Sequence, residues 1–314
     1  MKVGFIGLGG IGKPMAINIA RSGFELTVTD LRDQPLRDLE QYGAQTVATP
    51  REVAELSDIV LASLPSNKAS LEVALGVNGV LSGTKNGDIY IELSTISPEA
   101  VHTIVEKASA KGVNVLDAPV SGGLEQREEG TLSIMAGGDA NILSQAMPVL
   151  KTFGDKIFHT GTNGTGASIK LINNMLAGIN MVATMEALVL GVKAGLSVQT
   201  IKEVIGASSG NNKVFEGLVD KITTINPEPP TDQTANQGLH TIGKDVILAN
   251  EMALKLSVPL SLGSAAIQPF LAGLANDWAD KEYWVIMEFF EQLAGVIVRP
   301  PELTNFEESR TSNK

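Results

Sequence analysis

The sequence predicts an α/β protein whose N-terminal half is a doubly wound, mostly parallel sheet, joined by one long helix to an all-α C-terminal region. Three observations carry this. Short β-branched runs alternate with helical patterns through the first half, the signature of a parallel sheet with crossover helices. Beyond residue 161 strand-like runs stop and helical periodicity takes over. The length, 314 residues, exceeds one ordinary domain and suits about two.

Residues 2–7 and 25–30 read as strands with a helix over 11–22 between them. Residues 59–63, 88–92 and 114–117 are three further strands, and 98–111 reads as a helix. The segment GTNGTG at 161–166 closes the strand-rich part. Helices follow over 167–194, 198–206, 213–222, 243–256, 263–273 and 281–293. The segment NPEPP at 226–230 reads as a loop and 299–314 as a polar, frayed tail.

Composition narrows the function classes. Hydrophobic residues make up 43% and charged residues 19%, enough to bury sizeable cores and against intrinsic disorder. A net charge of -11 lacks the basic footprint of a nucleic-acid binder. With no cysteine, disulfides, thiolate zinc sites and cysteine nucleophiles are excluded, which fits a reducing cytoplasm. The three histidines, His102, His159 and His240, are scattered, so no metal site is expected. The chain enters its first strand directly from Met1 and Lys2, leaving no room for a secretory signal. The most apolar stretch, 170–195, carries Asn173, Asn174, Asn180 and Glu186, which are costly in lipid. It reads as a buried helix of a soluble protein, without a membrane partner.

The segment GLGGIG at 7–12 follows an apolar strand and opens a helix, the context a dinucleotide fingerprint requires. Gly7 permits the tight turn, Gly9 lets backbone approach a pyrophosphate, and Gly12 lets helix pack on strand. Leu8, Gly10 and Ile11 complete the turn, and the helix N-terminus faces the anion. Asp30 ends the second strand 18 residues after Gly12. A carboxylate there accepts hydrogen bonds from the adenosine ribose and repels a 2′-phosphate, favouring NAD. Arg32 keeps NADP as the alternative cofactor. The pattern is that of a Rossmann domain.

Two clusters carry candidate chemistry. Lys170 and Asn174 stand four residues apart near the start of the long helix and share one face. A lysine among apolar neighbours is partly desolvated and can take an alcohol proton; a solvated lysine near a helix start fits the spacing equally well. In DAPVSGG at 117–123, Ser121 and the backbone of Gly122 and Gly123 can hold a carboxylate, or form an ordinary turn.

Together these pieces resemble the β-hydroxyacid dehydrogenase family, which includes 3-hydroxyisobutyrate dehydrogenase, tartronate semialdehyde reductase and sulfolactaldehyde reductase. The resemblance rests on GLGGIGKPMA at 7–16, Leu64 with Pro65, ELSTISP at 92–98, DAPVSGG at 117–123, GTLSIMAGG at 130–138, residues 164–174, and Lys244 with Asp245. It implies that Lys170 is the catalytic general acid/base, and that Ser121, Gly122, Gly123 and Asn174 hold the substrate. It places Leu64, Pro65, Thr95 and Lys244 near the cofactor, with Lys244 also facing substrate. It implies a dinucleotide-binding domain over 1–163, a linking helix over 164–195, a helical substrate and oligomerisation domain over 196–298, and a tail over 299–314. Gln237 and His240 would make that side of the pocket polar, and Arg127, in the charged segment 124–129, would reach an anionic substrate group.

The expectation is an NAD-dependent oxidoreductase acting on a short 3-hydroxy acid, a small-molecule carboxylate, in a cytoplasmic homodimer or homotetramer. Lys170 stands against an imine reductase, the length and lack of a phosphate pocket against a phosphosugar-acid enzyme, and Lys170 with Asn174 against a non-catalytic dinucleotide-binding relative.

Overall fold

The computed structural model describes residues 1–224, 238–279 and 281–298. They divide into two compact units, residues 1–172 and residues from 173 onward. The division falls inside the long helix, two turns beyond its start.

The first unit is built on one sheet. Its strands are β1 (Lys2–Ile6), β2 (Glu25–Thr29), β3 (Gln45–Thr46), β4 (Ile59–Ala62), β5 (Ile89–Glu92), β6 (Asn114–Asp117), β7 (Val120–Ser121), β8 (Leu132–Gly137) and β9 (Gly154–Gly161). Their spatial order is β3-β2-β1-β4-β5-β6-β8-β7, with β9 on β8. The first six run parallel. The chain reverses direction across the sheet between β1 and β4, the switch point where such sheets bind dinucleotides. β8 runs antiparallel to both β6 and β7.

Helices α1 (Gly12–Arg21), α2 (Asp33–Glu40), α3 (Pro50–Glu55), α4 (Asn67–Leu75), α5 (Val80–Gly83), α6 (Pro98–Ser109), α7 (Leu124–Glu129) and α8 (Ala140–Leu150) cover it. One apolar core, with Phe5, Leu61, Ile91 and Ile134, lies against α1 and α8. The other, with Val60, Tyr90, Ile96 and Ile104, lies against α3 and α6. Strands covered on both faces read as continuous apolar runs, as in the fully buried IVLA of β4. Helix starts are set by side chains: Thr49 and Glu52 form a capping box, and Ser97 caps α6 just before Pro98.

Strands β3, β7, β8 and β9 were not among the expected strands. β3 and β7 are two residues long, and β9 is a largely exposed strand whose GDKIFHTG carries no apolar alternation. It is held by backbone pairing to β8, which periodicity cannot read.

Helix α9 (Thr165–Lys193) spans 29 residues. In the second unit follow α10 (Val198–Gly206), α11 (Lys213–Thr224), α12 (Leu239–Lys255), α13 (Ser261–Ala275), a 3-10 turn (Tyr283–Ile286) and α14 (Met287–Ala294). The helix expected over 281–293 is thus a turn followed by a shorter helix. These elements close around Met185, Leu188, Phe215, Val246, Phe270 and Met287. By length and composition α9 is apolar enough to cross a membrane, and 28% of its apolar window is buried. It was expected to be buried; instead Ile169, Ile172, Leu176 and Leu190 are exposed. The loop expected at 226–230, Gln237 and the tail over 299–314 lie outside the described residues.

Candidate active site

The loops that follow β1, β2, β4, β5 and β6 all emerge at the same edge of the sheet. After β1, Gly7 has φ +88°, and a Cβ there would approach Ser63 O to 2.3 Å. A Cβ on Gly12 would lie 1.9 Å from Gly7 O, so only glycine lets α1 start this close to the strand. At Gly9 a Cβ would meet nothing within 4 Å, which leaves the turn open for a ligand. No side chain caps α1 and no acid occupies its first turn. Backbone N–H groups therefore face that space with the positive end of the helix dipole. A dinucleotide pyrophosphate fits this cradle.

Asp30 joins β2 to the same turn. Its carboxylate accepts the Leu8 N–H at 2.6 Å and the Arg32 N–H at 2.9 Å. The Arg32 guanidinium lies along it at 3.0 Å and also donates to Leu8 O at 3.1 Å. Burial pushes the Asp30 carboxyl up, but these donors together outweigh it and hold the group below its ordinary value.

The loops after β4 and β5 are stapled together. Leu64 N–H donates to Ser94 Oγ at 2.7 Å, and Ser94 N–H to Glu92 Oε1 at 2.9 Å. Tyr90 Oη donates to Glu92 Oε2 at 2.9 Å, so a fully buried carboxyl anchors the pair. Burial raises the Glu92 carboxyl and, more strongly, the Tyr90 hydroxyl. Ser97 N–H donates to Asn67 Oδ1 at 2.9 Å, a second tie between the loops. Pro65 and the half-buried Thr95 sit in these loops, beside the cradle's switch point.

After β6 the buried Asp117 turns toward the start of α9. Its two oxygens accept the N–H groups of Gly164 and Ala167, each at 2.8 Å. Burial raises this carboxyl's pKa against the pull of those donors. A Cβ on Gly166 would come within 2.3 Å of both Asp117 O and Met135 O, so α9 starts in close backbone contact with β6 and β8. One turn further on stands Lys170, which is 8% exposed. The solvated alternative for this lysine is thereby excluded.

Ser121 is half-buried at the end of β7, opposite Ser133, and Gly122 is exposed. The Gly123 N–H is already taken by Gln126 Oε1 at 2.8 Å, a cap that a substrate carboxylate must compete with. The charged segment 124–129 is helix α7. Its acids are exposed, but Arg127 is buried.

On α9 Asn174 follows Lys170 by one turn. Asn174 Nδ2 donates to Asp245 Oδ2 at 2.6 Å, and its Oδ1 accepts from Asn173 at 3.0 Å. Lys244 Nζ lies 2.9 Å from Asp245 Oδ1, an ion pair whose angles do not make a hydrogen bond. Asp245 thus orients both the asparagine and the lysine. His240, one turn before Lys244 on α12, is exposed and its Nδ1 contacts Ala279 O at 2.9 Å. Sequence reasoning missed Glu92, Ser94 and Gln126; none of them carries a spacing signal of its own. Among the described residues no group of three or more His, Cys, Asp or Glu side chains could hold a metal ion.

Comparison with known proteins agrees with this layout. Residues 2–161 match the family profile of the NAD-binding domain of 6-phosphogluconate dehydrogenase. Residues 164–289 match that described as NAD-binding of NADP-dependent 3-hydroxyisobutyrate dehydrogenase. The chain is 37% identical to 2-(hydroxymethyl)glutarate dehydrogenase of Eubacterium barkeri, over 95% of this chain and 97% of that one. It is 33% identical to NAD-dependent L-serine dehydrogenase of Pseudomonas aeruginosa, over 94% and 99%. The crystal structure of 3-hydroxyisobutyrate dehydrogenase from Salmonella typhimurium superposes with a TM-score of 0.81 at 26% identity, over 92% and 99%. With the glycine cradle, the buried lysine and these relatives in agreement, the chain belongs to the β-hydroxyacid dehydrogenase family and is an NAD(P)-dependent hydroxyacid dehydrogenase.

Proposed function

We propose that the protein reversibly oxidises the primary alcohol of a short 3-hydroxy acid to a semialdehyde, with NAD as the preferred cofactor. The observation that carries this reading is Lys170, buried on a helix whose start is tied down by Asp117 and whose next turn presents Asn174. In this reading Ser121 Oγ and Gly122 N–H bind the carboxylate, and Gly123 N–H joins them when Gln126 gives way. Asn174, held by Asp245, orients the substrate hydroxyl toward Lys170 Nζ, which takes its proton. The bound nicotinamide supplies the hydride acceptor. Gly7, Leu8, Gly9, Gly10, Ile11 and Gly12 hold its pyrophosphate, Asp30 the adenosine ribose, and Leu64, Pro65, Thr95 and Lys244 flank the rest.

The compounds that name the two curated relatives and the structural neighbour share one unit, a hydroxymethyl group on the carbon that bears the carboxylate. They differ in the third substituent: a carboxyethyl, an amino or a methyl group. The polar side chain of His240 favours a polar or acidic third substituent. The exposed apolar residues of α9 support assembly of this chain with further copies of itself, as a homodimer or homotetramer. A cysteine-free composition supports a cytoplasmic location.

The test is kcat/KM at fixed NAD for 3-hydroxyisobutyrate, serine, glycerate and 2-(hydroxymethyl)glutarate. The reading expects at least one to turn over well and the polar members to exceed 3-hydroxyisobutyrate. Turnover of none of them contradicts it. Clear preference for 3-hydroxyisobutyrate contradicts the polar pocket alone.

A further inference from the structure

We propose that Arg127 is a cofactor residue: its guanidinium binds the pyrophosphate of the dinucleotide from the α7 side of the glycine turn. Four observations converge on this.

First, Arg127 is 6% exposed, while Glu125, Glu128 and Glu129 on the same short helix face solvent. The charged run is therefore split, with three acids outside and one cation turned inward. A buried charge is unfavourable unless it is matched. Burial indeed pulls the Arg127 pKa down, yet arginine begins so high that it stays charged.

Second, its guanidinium touches the glycine turn itself. Nη1 lies 3.4 Å from Gly10 O, a long contact for a group with five donors. The acceptor is free for a definable reason. In α1 the donor four residues after Gly10 would be Pro14, which has no N–H. A neutral carbonyl at this distance does not match a full positive charge.

Third, two other cations of this region are already paired. Lys13 pairs with Asp38, and Arg32 with Asp30. Among the described residues Arg127 forms no such pair.

Fourth, the turn beside it is built for an anion, with open space at Gly9, no acid in the first turn of α1 and no side-chain cap. Asn18 Nδ2 donates to Arg127 O at 3.1 Å and fixes the two helices side by side. A pyrophosphate seated on the turn brings two negative charges to a buried cation that forms no ion pair among the described residues and meets the turn only at the Gly10 carbonyl.

The experiment uses the full chain and needs no substrate. Dissociation constants for NADH and for ADP-ribose, which keeps the pyrophosphate without the nicotinamide, are measured by calorimetry between 50 and 200 mM salt. The variants are Arg127→Met, which keeps the apolar stem, and Arg127→Gln, which keeps a donor for Gly10 O but no charge. Both should bind either ligand about tenfold or more weakly, since charged hydrogen bonds are the strong ones. Their affinity should also fall less steeply with salt than that of the wild type. If Arg127→Met does not fold, Arg127→Gln carries the same expectation. Unchanged NADH and ADP-ribose affinity in Arg127→Gln overturns the proposal. In that event, lost preference for dicarboxylate over monocarboxylate substrates assigns Arg127 to the substrate. A lowered Tm alone assigns it to covering the Gly10 carbonyl.

Discussion

Replacing Asp117 by Ala removes the acceptor for two buried backbone N–H groups, those of Gly164 and Ala167. Each buried donor left unsatisfied costs about 1–3 kcal/mol, so the pair amounts to about 2–6 kcal/mol. An exposed helix cap is worth only about 1 kcal/mol; burial makes the difference here. For a cooperative unit of residues 1–172 each kcal/mol moves Tm by roughly 2–4 °C, so a mid-range loss lowers it by roughly 8–16 °C. The functional consequence follows from position. Ala167 lies three residues before Lys170, so the turn that loses its anchor is the one that aims the lysine. Differential scanning calorimetry and steady-state kinetics at a temperature where the variant is folded read the two effects separately. The expected result is a lowered kcat with NADH affinity retained, because the glycine cradle does not touch Asp117. A Tm within about 2 °C of wild type with full kcat would refute the reasoning.

Three further outcomes are expected. Asp30→Ser should narrow the wild-type preference of kcat/KM for NAD over NADP by removing the negative charge; a wild type that works better with NADP contradicts the assignment and makes Arg32 the residue to vary. Because the Asp30 carboxyl is held low in the folded state, its share of stability is complete above the ordinary value of 3.8. That share is lost as pH falls through the lowered folded-state value, so Asp30→Asn should flatten the acid limb of a Tm-against-pH curve; an unchanged limb argues against the Asp30–Arg32 pair. Ser121→Ala should reduce kcat/KM by roughly tenfold, the effect of one lost contact to a charged group, while NADH affinity stays constant; equal loss of both would place Ser121 at the cofactor.

The sheet was legible where physics is local. Strands β1, β2, β4 and β5 rest on apolar β-branched runs, and periodicity finds those. The glycine turn was legible because Gly7 and Gly12 are the residues its geometry demands. β9 was not, since its stability comes from pairing with β8 and not from its own polar sequence. The buried state of Lys170 was open at the level of spacing, because four-residue periodicity places Lys170 and Asn174 on one face without saying what covers it. Arg127 shows the same limit more sharply. It sits in a run of charges whose spacing does not say which side chain turns inward, and its packing against α1 decides that. Glu92 opens the ELSTISP motif, but the motif does not say what its carboxyl does: its role comes from long-range closure that brings Leu64 to Ser94. The exposed face of α9 ran against expectation because apolar composition alone does not say which face of a helix the fold covers.

The most direct test of the central claim is Lys170→Ala, assayed for turnover and for NADH binding in the same preparation. General acid–base catalysis contributes roughly 10²- to 10⁴-fold. The account predicts a kcat lowered by that factor, with the NADH dissociation constant within about twofold of wild type. A variant that retains near-wild-type kcat contradicts the assignment of Lys170 as the group that moves the substrate's proton.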